Sequence, residues 1–212
     1  MGGELMYYWL IYNTTTGAIG THSSSHSPLV DGKIDSNLIP SGFSLLGVYD
    51  DTTKMDSAIQ AAFDSPQAYL YQNGAFVANS AWPAMQLAQA KQTQIAKLES
   101  VMNATLAGGF TAKTLVGGAT TPHTYPTDGT AQANFSGLVN AFSVNPNKTS
   151  TMALTLDAGW ISHTKTEFYG VYSDGDAWKE AQYTQLTSLV AKVESAITVA
   201  DVQAITWKEA TY

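Results

Sequence analysis

Apolar and polar positions along the chain change period several times, and each change marks an element. Tyr7 to Asn13, YYWLIYN, is an aromatic and branched run that predicts a strand with one face inside and one outside. The TTTG ending at Gly17 turns it into a second short strand, Ala18 to Thr21. A stretch rich in Ser, Gly, Pro and Asp then reads as an ordered surface loop, and Phe43 to Asp50 as a third strand. Thr53-Lys54-Met55-Asp56 resembles an acidic capping box, followed by Ile59, Ala62 and Phe63 at helical spacing and a stop at Asp64-Ser65-Pro66. Tyr69 to Ala78 is the clearest hairpin, because Asn73-Gly74 suits the positive φ values of a type I′ turn.

The middle of the chain reads as one helix, with Pro83 in its first turn and Gly108-Gly109 as its stop. Its apolar residues, Met85, Ala88, Ile95, Leu98, Met102 and Leu106, form a narrow stripe interrupted by Gln92. Such a stripe packs on flanking domains or forms a short seam with copies of itself; packing is the reading preferred here. Beyond it, GGFTAKTLVGGATTPHTYPT predicts two extended runs around Gly117-Gly118, with Lys113 in a strand. In HTYPTDGTAQANFSGLV, His123 to Tyr125 forms a strand that Pro126 ends. Asp128 or Thr130 caps a helix whose apolar face is Phe135, Leu138, Val139 and Phe142. The amides of Gln132 and Asn134 are expected to tie that helix to neighbouring backbone.

Thr151 to Leu156 and Trp160 to His163 predict a further hairpin. Thr164-Lys165-Thr166-Glu167 is a full capping box that opens a helix. That helix is expected to break at Asp174-Gly175, where an aspartate caps its continuation through Trp178, Leu186, Leu189, Val190, Val193 and Ile197. Thr198 caps one last turn. These elements predict an α+β protein: an N-terminal α+β unit rich in strands over 1–80, a linking helix over 81–108, and a C-terminal α+β unit of short strands plus a long helix over 109–212.

Composition narrows the chemistry. The 212 residues carry a net charge of −7, and all ten Lys+Arg cations are lysines. Without the arginine fork, and with this charge, nucleic acid is not an expected partner. No apolar run approaches the roughly 20 residues that span a bilayer, and the opening Met1 to Met6 lacks the regions of a signal peptide, so membrane insertion is not expected. The absence of cysteine removes thiolate chemistry and disulfides.

Candidate catalytic and metal groups each have a structural explanation. His22 and His26 have the spacing of a helical zinc pair, but the Ser-rich setting argues against a helix. Asp174-Gly175-Asp176 lacks the remaining donors of a calcium loop and reads as a turn with an N-cap. No nucleophile elbow or phosphate loop is present, so neither enzymatic activity nor a cofactor is expected. The clusters Tyr7, Tyr8, Trp9, Tyr12 and Trp160, Tyr169, Tyr172, Trp178 are read as core plus protein interface, ahead of a sugar-stacking platform. The candidate interface is Tyr7, Trp9 and Ile11 with Met85, Ile95, Leu98 and Met102 of the central helix.

From about residue 90 to 210 the chain resembles an uncharacterised domain found at the C-terminal end of tailed-bacteriophage tail proteins. The resemblance is carried by Gly109-Phe110, Tyr125, Asp128, Gln132-Ala133-Asn134, the capped helix start from Thr164 through Glu167 to Phe168, and Val202 to Trp207. The opening YYWLIYNTTTGAI is also similar in style to the start of phage tail-fibre-associated proteins. Two departures stand out: a glycine within Ser173 to Asp176, where the family helix usually continues, and the missing arginines on that helix. The resemblance implies a virion protein made in the host cytoplasm, a structural part of the baseplate or tail-fibre attachment that contacts other tail proteins and carries no catalytic residue. It also implies a trimer. The alternatives are a tail-fibre assembly chaperone and a receptor- or glycan-binding module.

Overall fold

A computed structural model describes residues 6–50 and 54–212, so the first residues and Thr53 of the expected capping box lie outside the described residues. The protein is α+β, as expected, and its chain divides into two compact units, 1–85 and 86–212.

In the first unit, β1 (Tyr7–Asn13) is the central strand of a three-stranded antiparallel sheet between β2 (Ile19–Ser24) and β5 (Phe43–Tyr49). The intervening loop holds the small hairpin β3 (Leu29–Val30) and β4 (Lys33–Ile34). Trp9, Leu10 and Ile11 are all buried, so the expected alternation along β1 does not occur. The reason is its central position: Leu10 points to a core with Met55 and Ala62, while Trp9 on the other face stacks on the His22 ring at 5.4 Å. A bulge between Leu10 and Ile11 shifts the pairing with β5. Helix α1 (Ser57–Asp64) starts three residues later than the box at Thr53 predicts; Asp56 is its cap, accepting the Ile59 N–H at 2.8 Å. The hairpin β6 (Tyr69–Gln72) and β7 (Ala75–Ala78) turns at Asn73 and Gly74, with φ of 53° and 80°.

Helix α2 (Trp82–Ala107) carries its apolar stripe into the second unit. Leu98 packs there against Leu189 and Val193 of α4 (Lys165–Ser195) and Val202 of α5 (Val199–Ala204), and buried Gln94 donates to the Ile205 carbonyl. The two-residue strands β8 (Phe110–Thr111) and β9 (Thr124–Tyr125) pair antiparallel. The segment between them is a loop held by side chains, not the two extended runs expected, and Lys113 lies outside any strand. Helix α3 (Gly129–Val144) is capped by Asp128, which accepts the Ala131 N–H at 2.9 Å. The hairpin β10 (Ser150–Thr155) and β11 (Gly159–Thr164) leads directly into α4 through the Thr164–Glu167 capping box.

Helix α4 runs for 31 residues without the expected break. Gly175 is there for packing: a Cβ on it would lie 2.7 Å from Cζ of Phe110, whose ring stacks between Tyr125 and Trp178. Asp174, expected to cap a new helix, sits within α4 and accepts the Thr114 N–H at 2.7 Å. A Cβ on Gly170 would likewise meet the Thr114 hydroxyl at 2.6 Å. The two glycines let the β8–β9 segment lie directly on the helix.

Candidate functional site

Of the residues that carry the resemblance, Tyr125 belongs to a buried polar pair. Tyr125 is fully buried, and its hydroxyl lies 2.9 Å from Nε2 of equally buried His163. Nδ1 of His163 is 3.1 Å from the Ile161 carbonyl. A carbonyl only accepts, so Nδ1 carries the proton and Nε2 accepts from the tyrosine. Burial pushes the Tyr125 hydroxyl up to about 12, helped by the carboxylates of Asp157, Glu167 and Asp174. It also holds the His163 imidazole below its ordinary range. Both groups are therefore neutral at pH 7 and satisfy each other.

Acidic side chains hold the loop above this pair by its backbone. Asp157 accepts the Thr124 N–H at 3.0 Å and lies 2.7 Å from Nδ1 of His123, whose hydrogen bond is the main reason its carboxyl sits below the usual range. Glu167 accepts the Thr164 N–H at 2.7 Å to close the capping box and the Gly117 N–H at 3.0 Å, and these backbone donors hold its carboxyl low. Asp174 holds Thr114, as described. Neither His123 nor His163 is hydrogen-bonded to a serine among the described residues.

The two amides expected to tie α3 to neighbouring backbone, Gln132 and Asn134, divide. Gln132 Nε2 donates to the Thr127 carbonyl at 2.7 Å, as the expectation for these amides requires. Asn134 is exposed on α3 and makes no hydrogen bond to the described residues, which corrects that expectation.

The candidate interface changes more. Trp9, Ile11, Leu98 and Met102 are buried within their own units and have no surface for a partner, a correction that follows from the central place of β1 and the packing of α2 on α4. Tyr7 and Ile95 are partly covered, and Met85 is half exposed.

A different apolar surface is exposed, and periodicity alone misjudges it. Strand β10 alternates small residues, Thr151, Ala153 and Thr155, with large ones, Met152, Leu154 and then Leu156. The usual expectation puts the large face inside. Here the small face is buried, because Ala153 packs against Phe142 and Phe168 and the aromatic volume beneath leaves room only for small side chains. Met152, Leu154 and Leu156 face outward beside Trp160, which pairs with Leu154 across the hairpin and is 61% exposed. The signal was present: a strand with two differently sized faces next to a helix spaced in phenylalanines.

A groove opens between α3 and α4. Its floor is Phe110 and Trp178, and its walls carry Phe135, Tyr172 and Tyr183 together with Gln132, Asp176 and Lys179. Its volume is about 180 Å³. Among the described residues no group of three or more His, Asp or Glu side chains is placed to hold a metal ion, and no helix is long and apolar enough to cross a membrane.

The second unit is thus an α+β unit built on a buried Tyr–His pair, with a loop clamped by carboxylates. Residues 89–207 match the family described as a domain of unknown function (DUF4376), and since the match spans more than half of the chain, the protein belongs to that family. No curated protein and no solved structure matches it.

Proposed function

We propose that this protein is a non-enzymatic structural component of a tailed-phage virion, at the baseplate or a tail-fibre attachment, acting through contacts with other tail proteins. The observation that carries the contact mechanism is the inverted β10–β11 hairpin. Burying a Leu, Met or comparable side chain contributes roughly 1.5–3 kcal/mol, and this hairpin leaves that contribution unused on its large face. Such a face is stabilised when a partner covers it, and its aromatic and methionine content suits the centre of a protein interface. The tailed-phage setting comes from the resemblance of residues 90 to 210, with Gln132-Ala133-Asn134 and the Thr164 capping box as its most specific elements.

Mass spectrometry of purified particles tests this reading. The protein should be present in a fixed ratio to other tail proteins, and Trp160→Glu should be lost from particles while folding normally. Presence in infected lysate and absence from particles would replace the reading with an assembly chaperone.

A further inference from the structure

The hairpin β10–β11 has one edge that the described part of the second unit leaves open. The Lys165 N–H donates to the Thr149 carbonyl, so this facing pair is hydrogen-bonded, and the alternation of an antiparallel ladder then fixes every other position. His163 and Ile161 point their main-chain groups at β10, whereas Trp160 and Ser162 point theirs away from it. On β10 the same alternation turns Leu156 outward, where its N–H reaches the Thr124 carbonyl of β9. Nothing comparable covers β11: the main-chain N–H and C=O groups of Trp160 and Ser162 have no partner among the described residues.

This edge also lacks the features that keep strand edges apart. From Gly159 to Thr164 it holds no proline, and its exposed positions, Trp160, Ser162 and Thr164, carry no charge. In a chain of net charge −7, such a strip is where two copies meet at the least electrostatic cost. Its two ends are charged oppositely. Lys148 and Lys165, neither of them ion-paired among the described residues, stand at the open end of the hairpin, and Asp157, with its side chain 45% exposed, stands at the turn. Glu167, the acid nearest the lysines, is turned back onto the Thr164 and Gly117 N–H groups.

From these features we infer that β11 is a pairing edge for a second copy of this chain, with the two strands antiparallel about a two-fold axis. The main chain selects the register. With Trp160 opposite Ser162 of the second copy and Ile161 on the axis, every outward N–H and C=O of these residues finds a partner. Sliding the copies one way sets Trp160 opposite Thr164, whose N–H is already given to Glu167; sliding them the other way sets Ser162 opposite Ala158, in the turn and outside the strand. The same register makes the two Trp160 side chains diagonal neighbours at roughly 7–8 Å, close enough for the rings to cover each other. It also brings the lysines at the open end of one copy to the Asp157 turn of the other. Met152 and Leu154 remain on the outer face of the joined sheet, so the pairing is compatible with contacts to other proteins there and does not depend on the virion reading.

Sedimentation equilibrium and amide hydrogen exchange on the full chain test it. One short strand makes an interface at the small end of the usual range, so the dimer should have a Kd on the order of 10–100 μM. Raising the concentration to about 1 mM should slow exchange about fivefold at the outward amides of Trp160 and Ser162, and leave Ile161 and His163, already bonded to β10, unchanged. Ser162→Pro removes only an outward N–H, so this variant should keep the wild-type melt and stay monomeric. If it melts early instead, the wild-type exchange pattern decides alone. The inference is overturned by a chain that stays monomeric to about 1 mM, by a trimer, by a dimer that a folded Ser162→Pro retains, or by a dimer in which the Trp160 and Ser162 amides exchange as fast as in the monomer.

Discussion

Replacing Gly175 with alanine should destabilise this protein, although glycine is among the weakest helix formers and sits in the interior of α4. In an open helix the change favours alanine by about 0.8–1.0 kcal/mol. Here the new methyl would lie 2.7 Å from Cζ and 2.9 Å from Cε1 of Phe110, against an ordinary carbon contact of roughly 3.5–4.0 Å. The ring has nowhere to go: it is 4% exposed and stacks on Tyr125 at 5.6 Å and Trp178 at 5.8 Å. Overpacking of this kind costs typically 1–3 kcal/mol, so the steric term wins and the net loss is about 1 kcal/mol. Thermal and urea denaturation would read this as a Tm lower by roughly 2–4 °C. Gly137→Ala provides the control, since a Cβ at that position in α3 meets nothing within 4 Å and should raise stability by nearly the full propensity difference. In a Phe110→Leu background, Gly175→Ala should become neutral or stabilising. Equal stabilisation by the two glycine substitutions in the wild-type background would refute the packing argument.

Four further outcomes follow from the buried pair and the clamped loop. Tyr125→Phe removes the only donor to His163 Nε2 among the described residues and leaves a buried acceptor unpaired, which should cost about 1–3 kcal/mol in urea titration. Because burial holds His163 below its ordinary range, the unfolded chain binds a proton that the folded one refuses. Stability from this group is complete above about pH 6.5 and falls by up to about 1.4 kcal/mol per unit as pH drops below that toward the folded value; His163→Gln should flatten the slope. Asp157 and Glu167 behave in the same direction at lower pH, where their contributions are present above the ordinary carboxyl range near 4 and are lost as pH falls through their lowered values. Glu167→Ala should cost about 1–2 kcal/mol through the lost capping box, and it should speed hydrogen exchange at Gly117 while leaving Thr114, held by Asp174, protected.

Element boundaries were legible in the sequence at most places where a local rule decides them, the start of α1 at Asp56 instead of Thr53 being the exception. Asn73-Gly74, Asp128, Thr164 with Glu167, and Thr198 all act where their spacing predicts, because each turn or cap needs only residues within a few positions. The misjudged features depend on distant residues. Gly175 looks like a helix stop until Phe110 is seen beneath it, and Asp174 looks like a cap until Thr114 arrives from the β8–β9 loop. Strand β1 reads as half exposed because its alternation is a local property, whereas its burial depends on lying between β2 and β5. The same holds for the candidate contact surface. Leu98 and Met102 looked available on an isolated helix, and which face of β10 is buried depends on the phenylalanines of α3 and α4 that pack against Ala153.

The carboxylate clamp has a consequence for how this chain can vary. Asp174, Glu167 and Asp157 grip Thr114, Gly117 and Thr124 through main-chain N–H groups, which every residue except proline supplies. The path of the loop is thus written largely outside the loop itself, in the residues beneath it. A saturation library should find the exposed positions Leu115, Thr120 and Thr121 permissive to almost any side chain, with proline excluded at Thr114 and Thr124. A lineage could redecorate those exposed positions freely, or an engineer could place a short epitope across them, so long as Ala112 and Val116 stay in the core.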